Sequence, residues 1–109
     1  MKVENANAQM RKGVLELCIL SLLSRGDAYT TDLINKLKES QMIVVEGTLY
    51  PLLNRQKNAG LLSYRWEESP QGPPRKYYSI TEKGKEFLAE LESGWDTLVE
   101  TVNASRDNL

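Results

Sequence analysis

The sequence has 109 residues, of which 40% are hydrophobic and 27% charged; that is one ordinary globular domain, and two full domains do not fit. Fourteen Lys and Arg against fifteen Asp and Glu leave a net charge of -1, so a polyanion partner has to be argued from where the charge sits. The absence of His removes the commonest general base and metal ligand, and the single Cys excludes an intrachain disulfide and a multi-Cys zinc site. A reduced, cytoplasmic setting fits that usage, and no cofactor or metal is expected. Without a Gly-rich phosphate loop or a nucleophile pair, a hydrolase working through two carboxylates is remote, and no enzyme is expected.

Residues 11–24 carry apolar side chains at Val14, Leu15, Leu17, Cys18, Ile19, Leu20, Leu22 and Leu23, which describes a helix covered on several sides. The run is too short for a bilayer and contains Glu16, so no membrane partner is expected. Cys18 reads as a small buried hydrophobe rather than a redox sensor. Arg25, Gly26 and Asp27 stop this helix, and Thr30 or Thr31 can cap a second one that carries Leu33, Ile34 and Leu37 and ends near Gln41. A third spans Glu46 to Ala59, with Leu49, Leu52, Leu53 and Gln56 at i, i+3, i+4 and i+7, and stops at Gly60. Val45 is a poor cap and Pro51 is comfortable only in a first turn, so Thr48 is expected to cap this helix. The amide of Gln56, on the apolar face, should find a partner or the helix edge.

Leu61–Trp66 and Lys76–Ile80 read as strands. Between them ESPQGPPR predicts an exposed loop, with Arg75 and Lys76 at its return. Thr81 caps a last helix running to about Ala104. Along it Leu88, Leu91, Trp95, Leu98 and Val102 are separated by 3, 4, 3 and 4, the heptad seam of a dimer interface, widened by Phe87 and Val99. Two heptads alone hold weakly, so this helix should also lean on helix one. The chain thus divides into residues 1–80, a winged helix domain, and residues 81–109, a C-terminal dimerisation helix. The first part holds eleven basic and eight acidic side chains, net +3, and the second three basic and seven acidic, net -4. A polyanion would meet the body, while Glu86, Glu90 and Glu92 serve solubility rather than metal binding.

The fold class is mainly α (α+β): a winged helix-turn-helix with an N-terminal helix and a long C-terminal helix, whose third helix can enter a major groove. Opposite its apolar side lie Gly47, Pro51, Asn54 and Asn58, flanked by Thr48 and Arg55 on one edge and Tyr50 and Lys57 on the other. Thr48 and Asn54 are base-reading candidates; Tyr50, Arg55, Lys57, Arg75 and Lys76 are phosphate contacts. Arg11 and Lys12 either touch DNA or only solvate helix one.

The stretches RKGVLELCILSLL, EGTLYPLLNRQKNAGLL and GPPRKYYSITEKG, followed by one long helix, resemble the PadR family of transcriptional regulators, in its small LmrR-like subfamily with a single C-terminal helix. The resemblance covers almost the whole chain. It implies a homodimeric repressor that presents two winged helices to a two-fold operator in double-stranded DNA, with repression relieved by a small aromatic or lipophilic effector such as a planar aromatic ligand. It also places Thr48, Tyr50 and Arg55 on the recognition helix, Arg75 and Lys76 on the wing, and Trp95 where such members stack flat drugs across the dimer axis. Gln56, where an apolar residue is usual, Val45 in place of a Ser or Asn cap, and the missing Tyr-Gly-Tyr start of DAYTTDLINKL depart from the pattern.

Trp95 has two readings, a packed seam residue or the wall of a multidrug-binding site lined by Leu15, Cys18, Ile19 and Leu98. Trp66 falls in the first wing strand, apart from that seam. The rival to a DNA-binding regulator is a winged helix module that docks a protein partner and binds no DNA.

Overall fold

The computed structural model describes residues 1–107, and its first helix, α1 (Val3–Leu23), starts well ahead of the predicted residue 11. The added turns, with Ala6, Ala8, Gln9 and Met10, form a helix by propensity without burying a face, so no apolar period announces them. Burial begins only at Leu15 and continues through Ile19, Leu20 and Leu23. After the stop at Gly26, two residues form β1 (Ala28–Tyr29), an element too short to read from sequence. Helix α2 (Thr30–Glu39) follows directly. Its N-cap position is Tyr29, without a side-chain cap, so Thr30 and Thr31 occupy the first turn instead of capping it; the pairing of Tyr29 in the sheet sets that start. The helix closes through Gln41 at φ 67°, with the Met42 N–H donating to the Leu37 carbonyl at 2.8 Å, a Schellman-type stop.

Helix α3 (Glu46–Asn58) begins at Val45, whose carbonyl accepts the N–H groups of Thr48 and Leu49 at 3.0 and 3.1 Å. The expectation that Thr48 caps this helix is therefore corrected, and Pro51 lies inside it. The proline is tolerated because the Gly47 carbonyl it leaves without a helical donor lies on the exposed face, where water can serve it. Leu49, Leu53 and Gln56 are buried, and the helix ends at Gly60 with φ 81°.

Strands β2 (Leu62–Ser69) and β3 (Gly72–Ile80) pair antiparallel from Leu62↔Ile80 to Ser69↔Gly72, and β1 pairs on the other side of β3. The ESPQGPPR segment is thus mostly strand, with only Pro70 and Gln71 left as the turn. Glu67 pairs with Arg75 and Ser69 with Gly72, so Glu68 faces both Pro73 and Pro74. That bulge, and a β1 that reaches only Tyr77 and Tyr78, leave the two prolines few ladder bonds to disrupt.

Thr81 caps α4 (Glu82–Asp107) as expected: its hydroxyl accepts the Gly84 N–H at 3.0 Å and donates to the Gly60 carbonyl at 2.7 Å. The helix runs past Ala104. Its first turns belong to the same core as the winged domain: Gly84 and Leu88 are buried, and a Cβ at position 84 would lie 2.2 Å from the Leu61 carbonyl oxygen. Beyond Leu91 the residues of α4 are exposed, and the molecule measures 58 × 32 × 22 Å. Among the described residues no helix is long and apolar enough to cross a membrane.

Candidate nucleic-acid interface

The outward face of α3 is the one its wheel predicts, with Gly47, Thr48, Tyr50, Pro51, Asn54, Arg55 and Asn58 exposed and Lys57 half-buried. Tyr50 does not stand alone on it. It forms one wall of a groove of about 480 Å³ whose other wall is the wing, with Trp66, Pro74, Arg75 and Lys76, and whose end is the first turn of α2, with Thr30 and Thr31. That end carries helical N–H groups without a side-chain cap, a feature that favours an anion.

Aromatic rings hold the wing cations in place. The Arg75 guanidinium lies 4.6 Å from the Tyr29 ring centroid. The Lys76 ammonium lies 4.0 Å from Tyr64 and 5.3 Å from Tyr78, and Lys57 of α3 approaches the same Tyr64 at 5.2 Å. Ring faces attract the cations without using up their N–H donors, so Lys57 of α3 and Lys76 of the wing are both drawn to Tyr64 while their donors stay available.

Arg55 differs from that expectation. Its guanidinium is bound to the Glu16 carboxylate of α1, although its side chain is 67% exposed. Beside it the buried Gln56 donates from Nε2 to the Glu16 carbonyl at 3.3 Å, and its Oε1 has no partner among the described residues. The pair of residues ties the third helix to the first. Thr48 borders a smaller hollow of about 300 Å³ with Arg11, Lys12 and the exposed Ile43 and Val45, so the two α1 cations lie beside the start of α3.

Arg65, which the sequence does not single out, links the outer face of the wing. It donates to Asp27 at 2.5 Å and to Glu67 at 2.9 Å, and stands 5.3 Å over Tyr77. Its hydrogen bond to Asp27 holds that carboxyl below its ordinary value. Strand alternation puts Arg65 on this face, but only the fold supplies Asp27. Thr30, Thr31, Trp66 and Pro74 are likewise groove residues that the sequence reading did not place in the site.

The seam of α4 divides. Leu88 is buried in the chain's own core and Leu91 packs against it, because the first turns of α4 lie on α1 and the wing. Trp95, Leu98 and Val102 remain 42%, 52% and 45% exposed, with Val99 beside them. They line a mostly apolar hollow of about 630 Å³ against Met10, Gly13 and Val14 of α1. Leu15 and Ile19, expected next to Trp95, are instead core residues at 4% and 0% exposure; they lie on the side of α1 turned to the winged domain. Cys18 borders a separate hollow that Trp95 shares with Glu92 and Asp96, and burial pushes its thiol pKa up, away from reactivity.

The family model described as the transcriptional regulator PadR-like family matches residues 19–90. A PadR-like transcription factor from Bacteroides fragilis, solved by X-ray methods, is 64% identical, with TM-score 0.77 over 91% of this chain and 96% of that one. A PadR family transcriptional regulator from Eggerthella lenta is 33% identical with TM-score 0.91, over 98% of this chain and 94% of that one. The transcriptional regulator YqjI of Escherichia coli is 30% identical over 95 residues, which are 84% of this chain and 44% of that protein.

Proposed function

The chain belongs to the PadR-like family of transcriptional regulators, DNA-binding proteins rather than enzymes, and from that premise we propose that it is a homodimeric repressor of a two-fold operator. The groove between Tyr50 and the Arg75–Lys76 wing carries this reading. Its width is bounded by a helix fit for a major groove and by two cations fit for the flanking backbone. Thr48 and Asn54 on the exposed face read base edges, while Tyr50, Lys57, Arg75 and Lys76 hold phosphates. Arg55 joins them only by leaving Glu16, and Arg11 and Lys12 reach the backbone beside Thr48. A DNA target implies a cytoplasmic protein.

Dimerisation is supported by the end of α4. Trp95, Leu98, Val99 and Val102 stand in water on one helix face, and a second copy would cover them isologously with the same face. The partner contact rests on Trp95, Leu98 and Val102 rather than on Leu88 and Leu91. The apolar hollow at Trp95 would admit a planar aromatic effector, with stacking worth about 0.5–1.5 kcal/mol beyond burial. A ligand there that favours a different spacing of the two α3 helices, away from the ~34 Å between successive major grooves, would release the DNA.

Sedimentation of the chain with a labelled duplex tests the assembly. Two chains per duplex are expected, with both dimer and DNA affinity lost in Leu98→Asp/Val102→Asp. A wild-type chain that binds DNA as a monomer, or a double variant that binds unchanged, would refute the dimer. A planar dye that quenches Trp95 in Trp66→Phe and lowers DNA affinity is the expected effector behaviour; equal dye affinity for free and DNA-bound protein would refute the coupling.

A further inference from the structure

Trp66 is the most exposed aromatic side chain of the wing. In β2 it follows Leu62 and Tyr64 on one sheet face, and exposure climbs along that row from 3% to 40% to 63%. The core face of the sheet therefore runs out past the helices that cover it, and its last ring overhangs the groove. Across the ladder its partner is Lys76, whose ammonium lies 6.0 Å from the Trp66 ring. Across the groove stands Tyr50, 48% exposed, with Pro74 on the wing side.

This mixture has a specific chemical complement. A duplex backbone alternates charged phosphates with deoxyribose rings that present C–H surface. Arg75 and Lys76 satisfy the phosphates, whereas the indole of Trp66 and the phenol of Tyr50 are large apolar surfaces that a phosphate cannot satisfy. We propose that Trp66 is a DNA-contact residue, packing its ring on the deoxyribose next to the phosphate held by Lys76. The inference rests on the DNA-binding reading above and adds to it a part of the affinity that comes from apolar burial rather than from released counterions. Its signature is thermodynamic. Removing a cation flattens the dependence of affinity on salt, while removing an apolar contact lowers affinity by the same factor at every salt concentration. Because the contact is with sugar, it forms on any duplex.

The experiment follows fluorescence anisotropy of the full chain on a labelled mixed-sequence duplex from about 50 to 200 mM salt. It compares wild type, Trp66→Ala, Trp66→Phe and Lys76→Ala. Trp66→Ala is expected to lose about tenfold in affinity throughout, about 1.4 kcal/mol, with the wild-type slope. Trp66→Phe recovers most of this, and Lys76→Ala has a shallower slope. In a Trp95→Phe chain the remaining Trp66 emission should change in step with anisotropy. Thermal unfolding of each variant checks that the fold is retained. A Trp66→Ala chain that binds like wild type, or a Trp95→Phe chain whose Trp66 emission does not change on binding, overturns the inference and leaves the DNA reading intact. A shallower slope in Trp66→Ala would make Trp66 a support for Lys76 only, and also overturns it. Absence of wild-type binding at low salt would overturn the DNA reading and this inference with it.

Discussion

Replacing Gln56 by Met should make the protein more stable. Gln56 is 3% exposed in the middle of the apolar face of α3, its Oε1 has no partner among the described residues, and its Nε2 reaches the Glu16 carbonyl at 3.3 Å. A buried acceptor left without a donor costs about 1–3 kcal/mol, whereas a hydrogen bond this long falls at the low end of the ~0.5–1.5 kcal/mol range. The Glu16 carbonyl is not orphaned by the change, since α1 continues through it and gives it a helical donor. Met keeps the length and nearly the volume of the side chain, so little strain is added. The balance is a gain of about 1 kcal/mol, and for a chain of this size that raises Tm by roughly 4–8 °C. Thermal and urea unfolding by far-UV circular dichroism measure it, at one fixed chain concentration because dimerisation shifts apparent stability. A loss of about 1 kcal/mol or more would mean that Oε1 is satisfied in solution, and the reasoning would fall.

Gly84→Ala should destabilise by at least about 1–3 kcal/mol, because the new Cβ would meet the Leu61 carbonyl oxygen at 2.2 Å and Ile80 Cγ1 at 2.7 Å; an unchanged Tm would contradict this packing. Neutralising Arg75 and Lys76 together should weaken binding to every duplex and reduce the salt slope by up to about 2, and an unchanged slope would take the wing out of the mechanism. The Asp27 carboxyl is held below its ordinary value by its hydrogen bond to Arg65. Its contribution to stability is thus present above the unfolded-state value near ~3.9 and is lost as pH falls through the lower folded-state value. Asp27→Asn should accordingly lose less stability than wild type over that acid range in urea midpoints, by a small, salt-screened amount since the pair is exposed. An identical acid loss in both chains would remove the pair from the acid response.

What could be read in advance was whatever depends on near neighbours in sequence. The Thr81 cap, the Gly60 stop, the outward face of α3 and the cations at Arg75 and Lys76 follow from spacing and backbone chemistry within a few residues. Features that depend on distant partners were not legible. The two residues of β1 become a strand only because Tyr77 and Tyr78 lie beside them. Pro73 and Pro74 read as loop residues until a bulge opposite Glu68 lets them join β3. Arg55 looks free on a helical wheel, yet Glu16, 39 residues earlier, binds it. The heptad of α4 is continuous as a pattern, but Leu88 serves this chain's core while Leu98 and Val102 line an open hollow beside α1. The strand that holds Trp66 is legible in its own neighbours, but that its ring overhangs the groove depends on how far the helices cover the sheet.

The most direct measurement is a hydroxyl-radical footprint of the chain on a duplex selected for tight binding from a random-sequence pool, with chain stoichiometry determined on the same complex. Two chains and two protected patches about one helical turn, ~34 Å, apart, centred on a two-fold sequence, are the predicted result. One chain on one patch, or protection without two-fold symmetry, would contradict a dimer that presents two winged helices to DNA.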